Sequence, residues 1–179
     1  MTPQEVVAAL GDVQVATSYD DLVVDVPRQQ WETVVSAARD DLDLTFFDFL
    51  TGVDLLNDGF EVVVRLWSVS ARAGLQLRTR CPRADPTVAS LSGVFAGADW
   101  HERQAAELFG LSFVGHPRLD PLLLPPGFEG HPLRKEFVLT ARVDKVWPGG
   151  KEPGESAAEA AGRARRKHLP LGVPPVDRS

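Results

Sequence analysis

Apolar and polar positions alternate with a period of two along Phe60–Trp67. Phe60, Val62, Val64 and Leu66 share one phase, and Glu61, Val63, Arg65 and Trp67 the other. That is the spacing of a strand with one buried face. The same pattern recurs after a turn at Ala71–Gly74. Leu75, Leu77, Thr79 and Cys81 there alternate with Gln76, Arg78 and Arg80. Leu44–Leu50, aromatic and β-branched, predicts a strand ahead of these two, joined through Gly52-Val53-Asp54 and an Asn57-Asp58-Gly59 turn. Leu22, Val24 and Val26 predict an earlier strand, ended by Pro27.

Helical spacing lies between and around these strands. Thr2-Pro3-Gln4-Glu5 is a capping box with proline at the first helical position, and Gly11 stops the helix after Leu10. Trp31, Val34, Val35, Ala38 and Leu42 form one apolar stripe of a second helix. Val88, Leu91, Val94 and Phe95 predict a third over Thr87–Phe95, broken by Gly97. Asp99-Trp100-His101-Glu102 reads as a second capping box, opening a helix to Phe109 with Gly110 as its stop. The order α-β-α-β-β-β-α-α predicts an α+β fold: an antiparallel-rich sheet, a hairpin meander, with helices on one face. Cys81 falls on the apolar phase of its strand, the place of a buried small residue rather than a nucleophile.

Composition narrows the classes. The 179 residues include one cysteine, so a disulfide scaffold is excluded. The longest stretch free of charge, Pro86–Ala98, has 13 residues, well short of the ~20 apolar residues that a membrane span needs. No basic segment followed by an apolar core marks a signal peptide, which leads to the expectation of a soluble, intracellular protein. Residues 1–60 carry 12 acids against two bases, whereas residues 61–179 carry 13 acids against 17 bases. The acidic first third argues against nucleic acid as a partner. Ten of the 14 prolines lie in residues 115–179. The expected organisation is therefore an α+β domain over 1–114, an extended Pro-rich C-terminal arm over 115–150, and an irregular basic, Pro-rich tail over 151–179. No G-x-G-x-x-G and no Walker A sequence is present.

The informative stretch is Asp99–Phe137. On its helix, Glu107 stands four residues after Arg103, so the two are placed to pair, with Leu108 and Phe109 on the packing side. Gly-His-Pro then occurs twice, at Gly115–Pro117 and Gly130–Pro132. Proline keeps the residue before it out of the α region, so neither His116 nor His131 belongs to a helix. As metal ligands they would need a third and a fourth; Cys81 is alone, Glu129 or Asp120 could contribute, and no pair stands at the short spacing that metal sites favour. As a general base, His131 has Glu129 two residues away but no nucleophile motif or oxyanion loop. What remains is an extended segment whose His, Arg and Phe side chains lock onto another surface. Leu122–Leu124 and Phe128 are too apolar to lie bare on a free monomer, and a large partner is the economical cover.

This stretch resembles the signature of the C subunit of NADH:quinone oxidoreductase, respiratory complex I, a family shared with its mitochondrial equivalent. The carrying residues are Glu102-Arg103-Gln104, Phe109-Gly110, Gly115-His116-Pro117, and the block Gly127-Phe128-Glu129-Gly130-His131-Pro132-Leu133-Arg134-Lys135, followed by Glu136-Phe137. Three positions depart from the family pattern: Gln104 replaces a third signature acid, Glu107 replaces an Asp, and Asp120 stands where an Arg is common. The resemblance implies a non-catalytic structural subunit of the peripheral arm. Its partners would be chiefly the quinone-site subunit and the terminal-cluster subunit, and it would lie peripherally at the cytoplasmic face of the cell membrane. No cofactor is expected in this chain; FMN and iron–sulfur clusters belong to partner subunits. The single cysteine agrees, since a [4Fe–4S] cluster usually takes about four thiolates.

The partner interface implied by the motif comprises Glu102, Arg103, Glu107, Phe109, His116, Pro117, Phe128, Glu129, His131, Pro132, Arg134 and Lys135. Arg134 and Lys135, held behind Pro132, are expected to meet partner carboxylates. The tail, with Arg163, Arg165, Arg166 and Lys167, is either solvated or a strap to an acidic partner surface. The equivalent subunit of a membrane-bound nickel–iron hydrogenase or formate hydrogenlyase is the alternative reading, and a stand-alone enzyme using His131 and Glu129 is a third.

Overall fold

A computed structural model describes residues 1–11, 13–19 and 21–138. The expected tail 151–179, and the arm from 139 to 150, lie outside them. The chain divides into two compact units, Met1–Lys135 and Glu136–Ser179. The first holds the expected body together with the start of the arm.

In the first unit the order is α1 (Pro3–Leu10), β1 (Gln14–Ser18), β2 (Asp21–Asp25), α2 (Trp31–Asp41), β3 (Phe46–Asp54), β4 (Phe60–Ser68), β5 (Ala73–Cys81), β6 (Thr87–Ala89), α3 (Ala98–Phe109) and β7 (Ser112–Val114). Five strands form one sheet in the order β1-β2-β5-β4-β3. Within it only β2 and β5 run parallel; the other pairs are antiparallel, so the α+β meander holds. The apolar phases of β4 and β5 face the core as their alternation predicts. Phe60, Val62, Val64, Leu66 and Leu77 are completely buried there, in one core with Trp31, Val35 and Ala38 of α2 and Ala105 and Phe109 of α3. The polar phase carries ion pairs across strands. Arg65 lies 2.5 Å from Asp21 and 3.4 Å from Asp48, Arg78 2.6 Å from Asp25, and Arg80 3.0 Å from Glu61. Burial pushes the Cys81 thiol up, which suits a packing residue.

The Thr2–Glu5 capping box forms in both directions, with Thr2 N–H donating to Glu5 at 2.7 Å and Glu5 N–H to the Thr2 hydroxyl at 3.3 Å. The β3–β4 connection is a single 3-10 turn, Leu56–Asp58, closed by Gly59 at φ +95°, where a Cβ would collide with the Cys81 carbonyl.

Two expectations fail. Thr87–Phe95 is not a helix. Thr87–Ala89 is instead strand β6, paired parallel with β7, and one turn follows in which Phe95 N–H meets the Leu91 carbonyl at 2.8 Å. Its apolar residues are buried as a helix would bury them, but the β7 backbone offers Thr87–Ala89 a ladder, and the Ser90 hydroxyl competes for nearby amides. The second capping box is also absent: α3 starts at Ala98 after Gly97, and the Glu102 side chain turns into the interior. Strands β1 and β7 carry too little apolar alternation to be read from sequence.

Candidate functional site

Helix α3 packs its inner side, Ala98, Ala105 and Phe109, onto β3, where Gly52 admits it closely: a Cβ on Gly52 would lie 2.9 Å from the Phe109 ring. Its outer side carries Arg103, Gln104 and Glu107, and there the arm runs beside the helix from N- to C-terminus. His116 Nε2 lies 3.3 Å from the Asp99 carboxylate in the first turn. One turn on, Arg103 donates to the carbonyls of Asp120 (3.0 Å) and Pro121 (3.4 Å). Another turn on, the Glu107 carboxylate accepts three successive backbone N–H groups, from Leu122 (3.1 Å), Leu123 (2.8 Å) and Leu124 (2.6 Å). Partial burial works against that anion, but the three amides and the nearby Arg103 charge outweigh it and hold its carboxyl below the usual glutamate range. The expected Arg103–Glu107 pair is thus replaced by a division of labour: the cation takes arm carbonyls and the anion takes arm amides.

The second Gly-His-Pro block closes the helix end. The last carbonyls of an α-helix have no partner within it. Here Glu107 C=O accepts from His131 Nδ1 at 2.8 Å, Leu108 C=O from Leu133 N–H at 3.1 Å, and Phe109 C=O from Arg134 Nε at 2.7 Å. Gly110 is left-handed, at φ +72°, and its N–H returns to the Ala106 carbonyl at 2.9 Å. A Cβ there would collide with Arg134 Nη2 and sit 2.6 Å from His131 Nε2, so the cap presses flat on the glycine. The Arg134 guanidinium also lies 5.2 Å from the Phe60 ring centre, a cation–π distance. Arg134, expected to meet a partner carboxylate, donates here to the end of α3. The Lys135 amide ties the arm down once more, donating to Asp54 at 2.8 Å. Asp54 also accepts from Leu56 N–H at 2.8 Å and pairs with Arg83. Burial opposes its charge, but these partners prevail and hold its carboxyl below the usual aspartate range.

Of the residues singled out in the sequence, Glu102 and His116 meet in the interior, and Arg103, Glu107, His131 and Arg134 bind arm to helix. Phe109 is core. Phe128, Glu129 and the Lys135 side chain lie outside, exposed, as does Pro117, and Pro132 is half-buried. Leu119, Leu123 and Leu133 join them, with Leu123 61% exposed. Sequence reasoning passes over Asp54, Ser90 and Gly110 as site residues. Asp54 lies 81 positions from Lys135, and no local spacing signals that contact. Gly110 is visible as a helix stop and in the Phe109-Gly110 pair, but not as the seat of the cap. Among the described residues no group of three or more His, Cys, Asp or Glu side chains is arranged to hold a metal ion.

Residues 24–143 match the family described as the respiratory-chain NADH dehydrogenase 30 Kd subunit. The chain belongs to that family. It is 39% identical over 140 residues to the C subunit of NADH-quinone oxidoreductase from Herpetosiphon aurantiacus, covering 76% of this chain and 82% of that protein. It is 41% identical over 125 residues to the corresponding protein of Roseiflexus sp. strain RS-1, covering 68% and 72%. Among solved structures, the trypsin-resistant fragment of Nqo5 superposes with a TM-score of 0.57 at 24% identity, over 64% of this chain and 94% of the fragment. A chain of the archaeal membrane-bound sulfane sulfur reductase, a respiratory membrane complex, superposes with a TM-score of 0.65 at 20% identity, over 77% and 84%. Both share the α+β fold.

Proposed function

We propose that this member of the 30 Kd family acts as a non-catalytic brace in the peripheral arm of a proton-translocating NADH:quinone oxidoreductase. Its proposed neighbours are the quinone-site and terminal-cluster subunits, at the cytoplasmic face of the membrane. Electron transfer from NADH to quinone belongs to the complex, with FMN and iron–sulfur clusters carried by other subunits and none by this chain. One observation carries the reading: the arm is fixed to α3 through main-chain bonds, while Leu119, Leu123, Phe128 and Leu133 remain between 37% and 61% exposed. Apolar side chains held outward on an ordered support mark a protein–protein surface. Pro117 and Glu129, both exposed, would border that surface, and the exposed Lys135 ammonium would face a partner carboxylate. No helix among the described residues is long and apolar enough to cross a membrane, so membrane association would come through the partners.

The test is gentle isolation of the tagged full-length protein from membranes. Recovery of the other NADH:quinone oxidoreductase subunits, with no NADH oxidation by the chain alone, is the expected result. Recovery of hydrogenase subunits instead would establish the alternative assembly, and recovery of the chain by itself would refute both.

A further inference from the structure

Glu102 is the one acid of α3 that faces away from the solvent side of the arm lock. It is completely buried, as is the His116 side chain facing it. Its Oε1 accepts the Leu91 amide at 2.5 Å, its Oε2 lies 2.6 Å from the Ser90 hydroxyl, and Ser90 in turn lies 2.8 Å from the Ser92 hydroxyl. His116 Nε2 stands 3.9 Å from Oε2. His116 Nδ1 accepts the Arg118 N–H at 3.0 Å, which places the ring hydrogen on Nε2, pointing at Asp99. Among the described residues no Lys or Arg side chain pairs with Glu102, and His116 is the basic group nearest its carboxylate.

The other charged groups around this pocket are few. On α3 they are Asp99, 32% exposed, and Arg103, 3.9 Å from Asp99. The turn after β7 brings Arg118, which is exposed, and α2 brings Arg39, bound to the Val94 carbonyl at the far end of the Ser90–Phe95 segment. None of these cations pairs with Glu102. Complete burial without a paired Lys or Arg favours a neutral carboxyl, and the pocket can accommodate one: its hydrogen can go to Ser90 Oγ and that of Ser90 to Ser92 Oγ.

We propose that Glu102 and His116 form a proton-linked latch: a proton held on Glu102 keeps the Ser90–Ser92 segment and the Gly115–Arg118 turn closed on α3, and its loss loosens the point where the arm begins. Burial pushes the Glu102 carboxyl up, in the same direction. A group whose folded value is raised adds stability that is complete below its unfolded value and is lost as pH rises through the folded one.

The test is a pH titration of the full-length protein from about pH 4 to about pH 9, followed by carboxyl 13C and imidazole 15N resonances. The latch requires the Glu102 midpoint to lie above that of exposed glutamates, with a step in the His116 ring signals at the same midpoint. Glu102→Gln keeps an acceptor for Leu91 and a donor for Ser90. It should abolish the His116 step and gain stability relative to the wild type as pH rises. A Glu102 midpoint coinciding with exposed glutamates, or a His116 ring that does not respond to it, overturns the proposal. The wild-type titration decides the matter even if the variant fails to fold.

Discussion

Gly110 is where α3 ends and the arm's cap begins, and its missing side chain has two separate consequences. Its φ of +72° is cheap only for glycine, and the space a Cβ would need is filled by Arg134 and His131. Gly110→Ala should therefore cost about 1–3 kcal/mol and displace the 131–134 cap. A lowered melting temperature together with new tryptic cleavage at Arg134 would show both effects. The anchors Glu107 and Asp54 give a pH signature of the opposite sign to that of Glu102. Each has a folded value below its ordinary one, 4.5 and 3.8 respectively, so its contribution is present above that value and lost as pH falls through the folded one. Acidification below about pH 4 should release the arm before the sheet unfolds, read as loss of amide protection at Leu122–Leu124 while β4 amides stay protected.

At the scale of elements, period-two alternation makes β4 and β5 legible, because one face of the sheet is fully buried and the other is a lattice of ion pairs. The stripe of α2 is legible for the same reason. Leu77 sits in the middle of that core with no exposure, and Leu77→Ala should cost about 2–5 kcal/mol in denaturant unfolding. Thr87–Phe95 misleads because Val88, Leu91 and Phe95 are buried at helical intervals, while a non-local ladder with β7 decides the backbone. Glu102 misleads likewise. Its position three residues after Asp99 imitates a capping box, yet buried partners, the Ser90 hydroxyl and the Leu91 amide, are available and win. Strand β1, with Gln14, Ala16, Thr17 and Ser18 exposed, has no pattern to read, since its pairing is supplied by the main chain of β2.

For the molecule as a whole, the sequence points to the right stretch but to only half of its chemistry. The Gly-His-Pro blocks are legible as non-helical and as marks of the family. Their target is not, because hydrogen bonds to the carbonyls of Glu107, Leu108 and Phe109 involve main-chain atoms that leave no trace in residue types. Arg103, Glu107, His131 and Arg134 of the motif thus grip this chain's own helix, and the surface we propose for a partner is mainly apolar: Leu119, Leu123, Phe128 and Leu133. Leu123 separates the two roles. Its side chain is 61% exposed, and only its backbone amide serves the lock. Leu123→Asp should leave the melting temperature of the isolated protein unchanged yet sharply reduce recovery of NADH:quinone oxidoreductase subunits with it from membranes. Recovery equal to that of the wild type would contradict the account.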